Sequence, residues 1–328
     1  MNTRIPLDIP HGWFCLSWSH ELKIGQVKIV KFCGQDAVLF RAESGEANAV
    51  APFCPHLGAH LGHGGKVIGE SISCPFHGWA WSGEGKCTDV PYADSIPKKA
   101  LSQVLDTYNL VEQNGIIMAW YHPEGKEPYF ELPLIDEFNG DSNKWGKSHF
   151  FEYNISTCLQ EIAENDVDQA HFPTVHQSPS LPETEAFIDG IYKKTIAETL
   201  MDPENSESVS EKYKGSYKKQ FTTTFTRESW GLGQVLLRMT NLPPSGGEFI
   251  MVNASCPVDT ENSILRWEMK VSKDIEDTLG MAIIDGIANG INDDIPIWEN
   301  KSYWPSPMLC DGDGPINKFR KWVGQFYI

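Results

Sequence analysis

The sequence predicts an α+β protein, in which an all-β N-terminal domain precedes a domain of antiparallel strands with one long C-terminal helix. From about Trp13 to Trp120, short β segments alternate with glycine turns. Further along, strand-like runs precede a stretch whose apolar residues recur at helical spacing. A polar, proline-containing segment, Tyr121–Pro128, separates the two parts. We therefore expect domains at residues 12–122 and 123–328.

The composition is that of a folded, acidic protein. A chain of 328 residues with 41% hydrophobic residues can form two ordinary domains. The net charge of −17 argues against a nucleic-acid partner. No apolar run is long enough to span a membrane, and the N-terminus lacks the apolar core of a signal peptide. The 8 cysteines are not spaced as a disulfide framework, which predicts free thiols and a cytoplasmic location.

Two short runs in the first domain carry a set of metal ligands. Cys54-Pro55-His56 and Cys74-Pro75-Phe76-His77 each pair one cysteine with one histidine. Two thiolates and two neutral imidazoles are the ligands of a Rieske-type [2Fe-2S] cluster, in which the cysteines hold one iron and the histidines the other. Glycines allow the backbone to approach such a group closely, and they crowd both loops: Gly58, Gly62, Gly64, Gly65 and Gly78.

A zinc site is the alternative for these ligands, because zinc also accepts two cysteines and two histidines. Zinc motifs usually pair cysteine with cysteine and histidine with histidine, whereas each run here is mixed. The cluster is therefore the favoured interpretation. His60 and His63 lie between the two runs, and we interpret them as loop histidines bonded to backbone or water.

The second domain mixes helix and strand. In the last predicted strand, Leu265, Trp267 and Met269 alternate with Arg266 and Glu268, which is the pattern of a half-buried strand. The apolar stripe of the long helix predicts a core face packed on the sheet. The predicted elements are a helix over 155–172, an irregular polar segment over 181–215, strands at 219–227, 234–240, 248–255 and 263–271, and a helix from Ile275 to Asp294.

A second group of candidate metal ligands lies between Asn165 and His176. Asp168 and His171 would share one helix face. His171 and His176 would lie about 140° apart on a straight helix, but Pro173 is expected to break or kink it and bring His176 back toward His171. Two imidazoles and one carboxylate on one side of an iron form a facial triad, which leaves positions open for oxygen and substrate.

The carboxylate of this triad must come from elsewhere in the chain. Asp293 and Asp294 lie near the end of the long helix, and Pro296 is expected to bend the chain just after them. Asp294 falls within about 20° of the apolar face, whereas Asp293 points about 120° away from it. A carboxylate on a buried face needs a partner, and a metal ion is such a partner. We therefore predict Asp294 as the third ligand.

The two motifs together resemble those of the Rieske non-haem iron oxygenases, and the resemblance runs from about Trp13 to the C-terminus. Three C-terminal segments resemble the branch that includes 3-ketosteroid 9α-hydroxylases, cholesterol 7-desaturases and a sterol C-4 demethylase; they are Asp294–Lys301, Gly312–Trp322 and Gln325–Tyr327. The resemblance implies a Rieske [2Fe-2S] domain followed by a helix-grip, START-like catalytic domain with a mononuclear iron. Because relatives of this branch in animals carry an N-terminal membrane segment, we expect either a soluble enzyme or a shortened sequence.

The resemblance also assigns roles to individual residues. It makes Cys54, His56, Cys74 and His77 the ligands of the cluster, and it makes His171 and His176 ligands of the mononuclear iron. Asp168 matches the carboxylate that links the cluster of one subunit to the iron of its neighbour, and Asn165 lies near the iron. Asp168 and Asn165 are therefore the candidate catalytic residues.

The expected activity is oxidation of a steroid or sterol C–H bond with O2, by hydroxylation, desaturation or demethylation. Electrons would come from a separate NAD(P)H-dependent flavin reductase, directly or through a ferredoxin. The resemblance further implies a homotrimer. An apolar pocket should accept the substrate, with the strands of 219–271 as its walls. The alternatives are an aromatic-ring or other small-molecule oxygenase, a Rieske electron carrier, and a zinc-binding interaction protein.

Overall fold

The computed structural model describes residues 4–140, 143–178, 181–201, 220–242 and 245–328. The chain forms two compact units. The first unit is Trp13–Asn139, and the second is Gly140–Ile328 together with the residues up to Gly12. Within the described ranges, no helix has both the length and the apolar character needed to cross a membrane.

The first unit is all-β, as the sequence predicts. Its sheets have the strand orders β1-β10-β9, β2-β3-β4 and β5-β6-β7-β8. One buried core includes Phe40, Trp79 and Trp81 together with Cys54 and Cys74. The strands are β1 Gly12–Trp18, β2 Val27–Phe32, β3 Gln35–Arg41, β4 Ala47–Val50, β5 Lys66–Ile68, β6 Ser71–Ser73, β7 Ala80–Ser82, β8 Cys87–Asp89, β9 Leu110–Gln113 and β10 Ile116–Tyr121.

Residues 123–139, which the predicted boundary places in the second domain, lie in the first unit. The indole Nε1 of Trp13 donates to the Phe130 carbonyl at 2.9 Å. The Gln113 amide donates to the Leu132 carbonyl at 3.0 Å. Such long-range hydrogen bonds attach this proline-containing segment to β1 and β9, and local composition does not reveal them.

The second unit is built on one seven-stranded sheet with the order β11-β17-β16-β15-β14-β13-β12, and its neighbouring strands pair antiparallel. Its strands are β11 His149–Ile155, β12 Glu183–Asp189, β13 Tyr192–Met201, β14 Phe221–Trp230, β15 Gln234–Leu242, β16 Gly247–Pro257 and β17 Ser263–Val271. Its α-helices are α1 Leu159–Glu164, α2 His171–Val175, α3 Lys273–Glu276, α4 Gly280–Asn300 and α5 Ile316–Val323.

The predicted strands of this sheet are confirmed as β14 to β17. The expectation that β17 is half-buried is wrong, because Arg266 and Glu268 are buried as well as Trp267. Polar partners accompany this burial: Arg266 Nε lies 2.9 Å from a carboxylate oxygen of Glu152 on β11. An internal strand with paired charges can thus show the same alternation of apolar and charged residues as a strand with one solvent-exposed face.

The irregular segment predicted over 181–215 is wrong for 183–201, which form the β12–β13 hairpin; residues 202–215 lie outside the described ranges. The buried positions of β13 are Lys193, Thr195, Ala197 and Thr199. Because three of these are polar, the apolar alternation that marks a strand is missing. Strand β12 is at the edge of the sheet, and none of its residues is fully buried.

The single helix predicted over 155–172 is also wrong. Helix α1 ends at Glu164, and α2 begins at His171 and ends at Val175. Pro173 therefore lies in the first turn of a new helix instead of breaking an old one. A proline is tolerated there because the N–H that it lacks would have no partner inside the helix.

The long C-terminal helix begins and ends later than the sequence predicts, because Ile275 belongs to the separate short helix α3 and α4 begins at Gly280. Helix α4 runs through Pro296 to Asn300, so the bend expected just after Asp294 is not a helix end. The buried Trp298 continues the apolar face. Beyond it, Arg4 Nη1 donates to the carbonyls of Trp298 at 3.1 Å and Lys301 at 3.0 Å. These bonds satisfy carbonyl groups at the end of the helix that have no partner inside it.

Candidate functional site

The two Cys-His loops of the first unit share one backbone conformation. The Gly58 N–H donates to the Cys54 carbonyl at 2.9 Å, and the Gly78 N–H donates to the Cys74 carbonyl at 3.0 Å. Both glycines have φ of +76°, a conformation that glycine adopts without strain. The loops thus turn back equivalently after each cysteine and present the two pairs of ligands to each other.

The side chains of these loops converge. Cys54 and Cys74 are buried, and the centroids of the His56 and His77 rings are 4.9 Å apart. The indole Nε1 of Trp81 donates to Cys54 Sγ at 3.3 Å. The His56 ring stacks on the Trp79 ring at a centroid distance of 4.4 Å.

The residues present fit a [2Fe-2S] cluster. Burial, with a further contribution from neighbouring Cys74, raises the pKa of the Cys54 thiol, so a cationic group is needed to hold the pair as thiolates. His77 Nδ1 is buried and has no hydrogen-bond partner in the described part of the chain. His60 takes the role expected of a loop histidine, because its Nδ1 accepts the Gly62 N–H at 3.1 Å.

The second candidate centre is built by the turn between α1 and α2 and by α4. Asp168 Oδ1 accepts the N–H of Ala170 at 3.0 Å, which stabilises the start of α2. His176 follows the last residue of α2 with non-helical φ and ψ of −103° and 9°. The centroids of the His171 and His176 rings are consequently 5.2 Å apart.

Asp294 of α4 completes a group of three ligands. Its Oδ2 lies 3.4 Å from His176 Nε2, and its Oδ1 lies 4.0 Å from His171 Nε2. One ligand atom from each residue lies within 4.8 Å of the other two. Ligand atoms that are each about 2.1 Å from one ion lie roughly 3–3.5 Å apart, so small side-chain adjustments would allow all three to bind the same metal.

The polar groups of this centre fit a metal ion. Both ring nitrogens of His171 are buried and have no hydrogen-bond partner within the residues described. The Asp294 side chain is 10% exposed, whereas that of Asp293 is 51% exposed. The structure thus places Asp294 in the group, on the buried helix face where its sequence position predicts it, with Asp293 toward solvent.

The two candidate catalytic residues lie next to this group. Asp168 Oδ1 is 3.7 Å from His171 Nδ1, and the Asp168 side chain is 33% exposed. Burial raises the pKa of the Asp168 carboxyl. The nearby His171 ring and the N–H groups of His171 and Ala170 outweigh this effect and hold the pKa below its usual value. Asn165 lines the cavity next to the three ligands.

A cavity of about 290 Å³ adjoins the three ligands and is lined mainly by apolar side chains. The strands of 219–271 form walls of this cavity, as predicted. The helical stripe expected to pack on the sheet also faces it, through Ile283, Ile287 and Ile291 of α4. The wall residues contributed by the strands include Phe225, Leu237, Met239, Met251, Leu265 and Trp267.

Two charged residues of this cavity other than Asp294 were not predicted from the sequence. Asp166 and Arg227 line it, and Lys193 Nζ lies 3.0 Å from Asp166 Oδ2. Arg227 could have been identified, because it lies two residues after Phe225 in a predicted strand and so shares the same face of the sheet. Lys193 offered no signal, because it lies in the segment predicted to be irregular.

Comparison with known proteins identifies a family for each part of the chain. The Rieske [2Fe-2S] domain family matches residues 12–108, and the 3-Ketosteroid 9alpha-hydroxylase C-terminal domain family matches residues 119–327. The solved structure of apo dicamba monooxygenase superposes with a TM-score of 0.72 at 13% identity and covers 97% of both chains, which shows a shared fold.

Two relatives match almost the whole chain. Cholesterol 7-desaturase nvd 1 of Ciona intestinalis is 30% identical, covering 98% of this chain and 70% of the relative. A 3-ketosteroid-9-alpha-monooxygenase oxygenase component of Rhodococcus rhodochrous is 29% identical, and the match covers 97% of this chain and 82% of the relative.

Fold and site together define a Rieske non-haem iron oxygenase, with a [2Fe-2S] cluster site and a His-His-Asp site for mononuclear iron. Within that class, the chain belongs to the family that carries the 3-ketosteroid 9α-hydroxylase C-terminal domain. An electron carrier limited to a Rieske domain and a zinc-binding interaction protein, two of the alternatives considered above, do not account for this second domain and its ligand group.

Proposed function

We propose that this protein is an oxygenase component that oxidises a C–H position of a steroid or sterol, by hydroxylation, desaturation or demethylation. The observation that carries the proposal is that His171, His176 and Asp294 line the same cavity as a large set of apolar side chains. A group of metal ligands at the wall of such a cavity suits an apolar substrate whose reactive carbon must lie beside the metal.

The chain's residues divide the work between holding the metal and holding the substrate. Iron bound by His171, His176 and Asp294 would supply the site at which O2 is activated. The buried Asp294 fixes the triad on one side, because it projects from a rigid helix. Leu237, Met239 and Trp267 line the cavity, where they exclude water and orient a rigid apolar skeleton.

Both the relatives and the cavity support a steroid substrate. The names of the matched relatives refer to cholesterol and to 3-ketosteroids. The cavity volume of about 290 Å³ is close to the lower end of the roughly 300–1,000 Å³ that is typical of small-molecule sites. A substrate with a compact, fused-ring body would fit it better than a long flexible chain.

Electrons must reach such an enzyme from another protein. Several relatives are named as oxygenase components, and a component needs a partner that supplies reducing equivalents. We propose an NAD(P)H-dependent flavin reductase in this role, with or without a ferredoxin between the two.

A homotrimer is part of the proposal, with Asp168 as the carboxylate that links the iron site of its own chain to the cluster of a neighbouring chain. The 33% exposure of Asp168 supports this role, because its carboxylate is accessible from outside while it lies 3.7 Å from His171 Nδ1. Asp168→Asn should retain iron but lose turnover by about 10–100-fold or more. Near wild-type turnover in this variant, or a monomeric protein in light-scattering chromatography, would contradict this role.

The proposed function is tested by turnover with a panel of sterols and 3-ketosteroids in the presence of a surrogate reductase, NADH and O2, with products identified by mass spectrometry. A simple arene serves as the comparison substrate. We expect one oxidised product from at least one steroid and none from the arene. Oxidation of the arene alone would favour the aromatic-ring alternative.

A further inference from the structure

One cation lies on the wall of the otherwise mainly apolar cavity. Of the described residues that line it, Arg227 alone has a permanently positive side chain. Arg227 is on β14, where Thr195 and Leu237 are its cross-strand neighbours. Its guanidinium carbon lies 5.5 Å from the centroid of the Phe225 ring, and its side chain is 16% exposed. A charge in this position requires a reason, since burying it costs free energy.

The ion pair of Arg227 is shared with a second cation. Asp166 Oδ1 lies 3.6 Å from Arg227 Nε, whereas Asp166 Oδ2 lies 3.0 Å from Lys193 Nζ. The Lys193 side chain is buried, with 1% of it exposed. Asp166 is therefore bound more closely by Lys193, and the contact recorded between Asp166 and Arg227 is to Nε at 3.6 Å.

The other carboxylate that acts on Arg227 is Asp294. Asp294 belongs to the iron site, and a bound cation takes up its negative charge. Among the described residues, Arg227 and Lys193 are two cations that share one carboxylate, Asp166, so this wall would carry an excess of one positive charge once Asp294 binds a metal. Burial lowers the pKa of both cations, in spite of the opposing effect of Asp166. Their desolvation is therefore not fully offset within the described part of the protein.

We propose that Arg227 binds an oxyanion of the substrate, so that the natural substrate is a steroid-type molecule that carries a carboxylate. This inference rests on the proposed function and narrows its substrate class. The terminal N–H groups of a guanidinium form a planar fork that matches a carboxylate in a bidentate pair. Such a pair would fix one end of an apolar body, and thereby determine which carbon lies beside His171, His176 and Asp294.

The test compares the binding of steroid acids with that of their neutral amides to the intact holoenzyme. The probes are 3-oxoandrost-4-ene-17β-carboxylic acid and 3-oxochol-4-en-24-oic acid, each with its primary amide. Dissociation constants are measured by calorimetry, or by quenching of tryptophan fluorescence, since Trp267 lines the cavity. We expect at least one acid to bind about 10–100-fold more tightly than its amide, the effect of one charge-assisted hydrogen-bonded pair.

Variants assign this preference to Arg227. Arg227→Gln should abolish the difference between acid and amide. Arg238→Gln is the matched control: Arg238 is on β15 between the cavity-lining Leu237 and Met239, so it faces the other side of the sheet. Iron content and circular dichroism confirm that the variants are folded. A second pair of variants is used if Arg227→Gln does not fold. Leu237→Glu places a carboxylate opposite Arg227 and should remove the preference for the acid over the amide. Leu237→Gln, which adds no charge, should keep that preference.

Each result bears on one of the two proposals. Equal affinity of acid and amide for the wild type, or a preference that survives both Arg227→Gln and Leu237→Glu, would overturn the role of Arg227 and leave the steroid proposal intact. Failure of every acid and amide to bind to the wild type would instead overturn the steroid proposal, and this inference with it.

Discussion

Asp294 Oδ2 lies 3.4 Å from His176 Nε2, although one residue belongs to the long helix α4 and the other follows the short helix α2. Two local features produce this contact. Helix α2 ends at Val175, which releases His176 from helical geometry, and α4 continues past Asp294 as far as Asn300. The carboxylate is thus held in the interior of a helix and the imidazole on a turn, so α4 would fix one ligand of a metal bound here.

Asp294→Asn should lose the mononuclear iron and keep the cluster. Removal of one anionic ligand from a group of three should weaken iron binding by at least the 10–100-fold typical of supporting residues. The iron content is measured by mass spectrometry and compared with the content of labile sulfide. Iron in excess of sulfide reports the mononuclear site alone. Asp293→Asn is the control, because Asp293 is 51% exposed and its Oδ2, at 3.9 Å from His176 Nδ1, is too far away for a hydrogen bond. Equal iron loss in the two variants would contradict the assignment.

Trp81→Phe should lower the reduction potential of the cluster. The Trp81 indole donates to Cys54 Sγ at 3.3 Å, and such a bond favours the more negative, reduced state. A hydrogen bond worth about 1 kcal/mol corresponds to roughly 40 mV for one electron. The potential is read from an EPR-monitored titration. Trp120→Phe is the control, since its indole donates to the Lys126 carbonyl at 2.7 Å; a shift of similar size there would refute the proposed effect of the bond.

Substitution of Gly290 should separate helix stability from pocket size. Gly290 lines the cavity from α4, and a Cβ at this position would meet no atom within 4 Å. Gly290→Ala should therefore stabilise the protein by about 0.5–1 kcal/mol through helix propensity. Gly290→Leu should fill part of the cavity and weaken steroid binding. Melting temperatures and steroid dissociation constants measure the two effects, and tight steroid binding by Gly290→Leu would show that the substrate lies elsewhere.

Glu268→Gln should stabilise the protein at neutral and alkaline pH. Burial raises the pKa of Glu268 above 4.5, although the Ser148 hydroxyl donates to it at 2.5 Å and Lys270 Nζ lies at 4.0 Å. The folded state therefore binds this proton more tightly than the unfolded state, and stability falls as pH rises from 4.5 through the raised pKa.

The pH dependence of the Glu268→Gln effect is the measurement. The variant should melt above the wild type at pH 8, by about 2–4 °C for each kcal/mol, and the gap should close toward pH 4.5. If the difference in melting temperature between the variant and the wild type stayed constant over this pH range, ionisation of Glu268 would not be costly.

Much of both sites could be predicted from the sequence because their ligands come in short runs. The ligands of the first site can be identified by residue type alone in Cys54-Pro55-His56 and Cys74-Pro75-Phe76-His77. The position of Asp294 could be predicted because helical periodicity distinguishes it from Asp293. Strands β14 to β17 could be predicted because each is a short run rich in β-branched, aromatic or other apolar residues.

Long-range contacts decided what the sequence could not show. The buried face of β13 is mostly polar, so only its pairing with β12 and β14 identifies it as a strand. The carbonyl groups at the end of α4 accept hydrogen bonds from Arg4, at the other end of the chain. The sharing of Asp166 between Lys193 and Arg227 joins three separate elements.

The sequence by itself therefore determined which atoms are available as ligands, since residue type and local spacing are properties of the chain. The tertiary structure decided which of those atoms meet and which charges remain without a full partner. Both depend on contacts between residues that are distant in the chain, whose energies arise only when the sheet and helices have assembled.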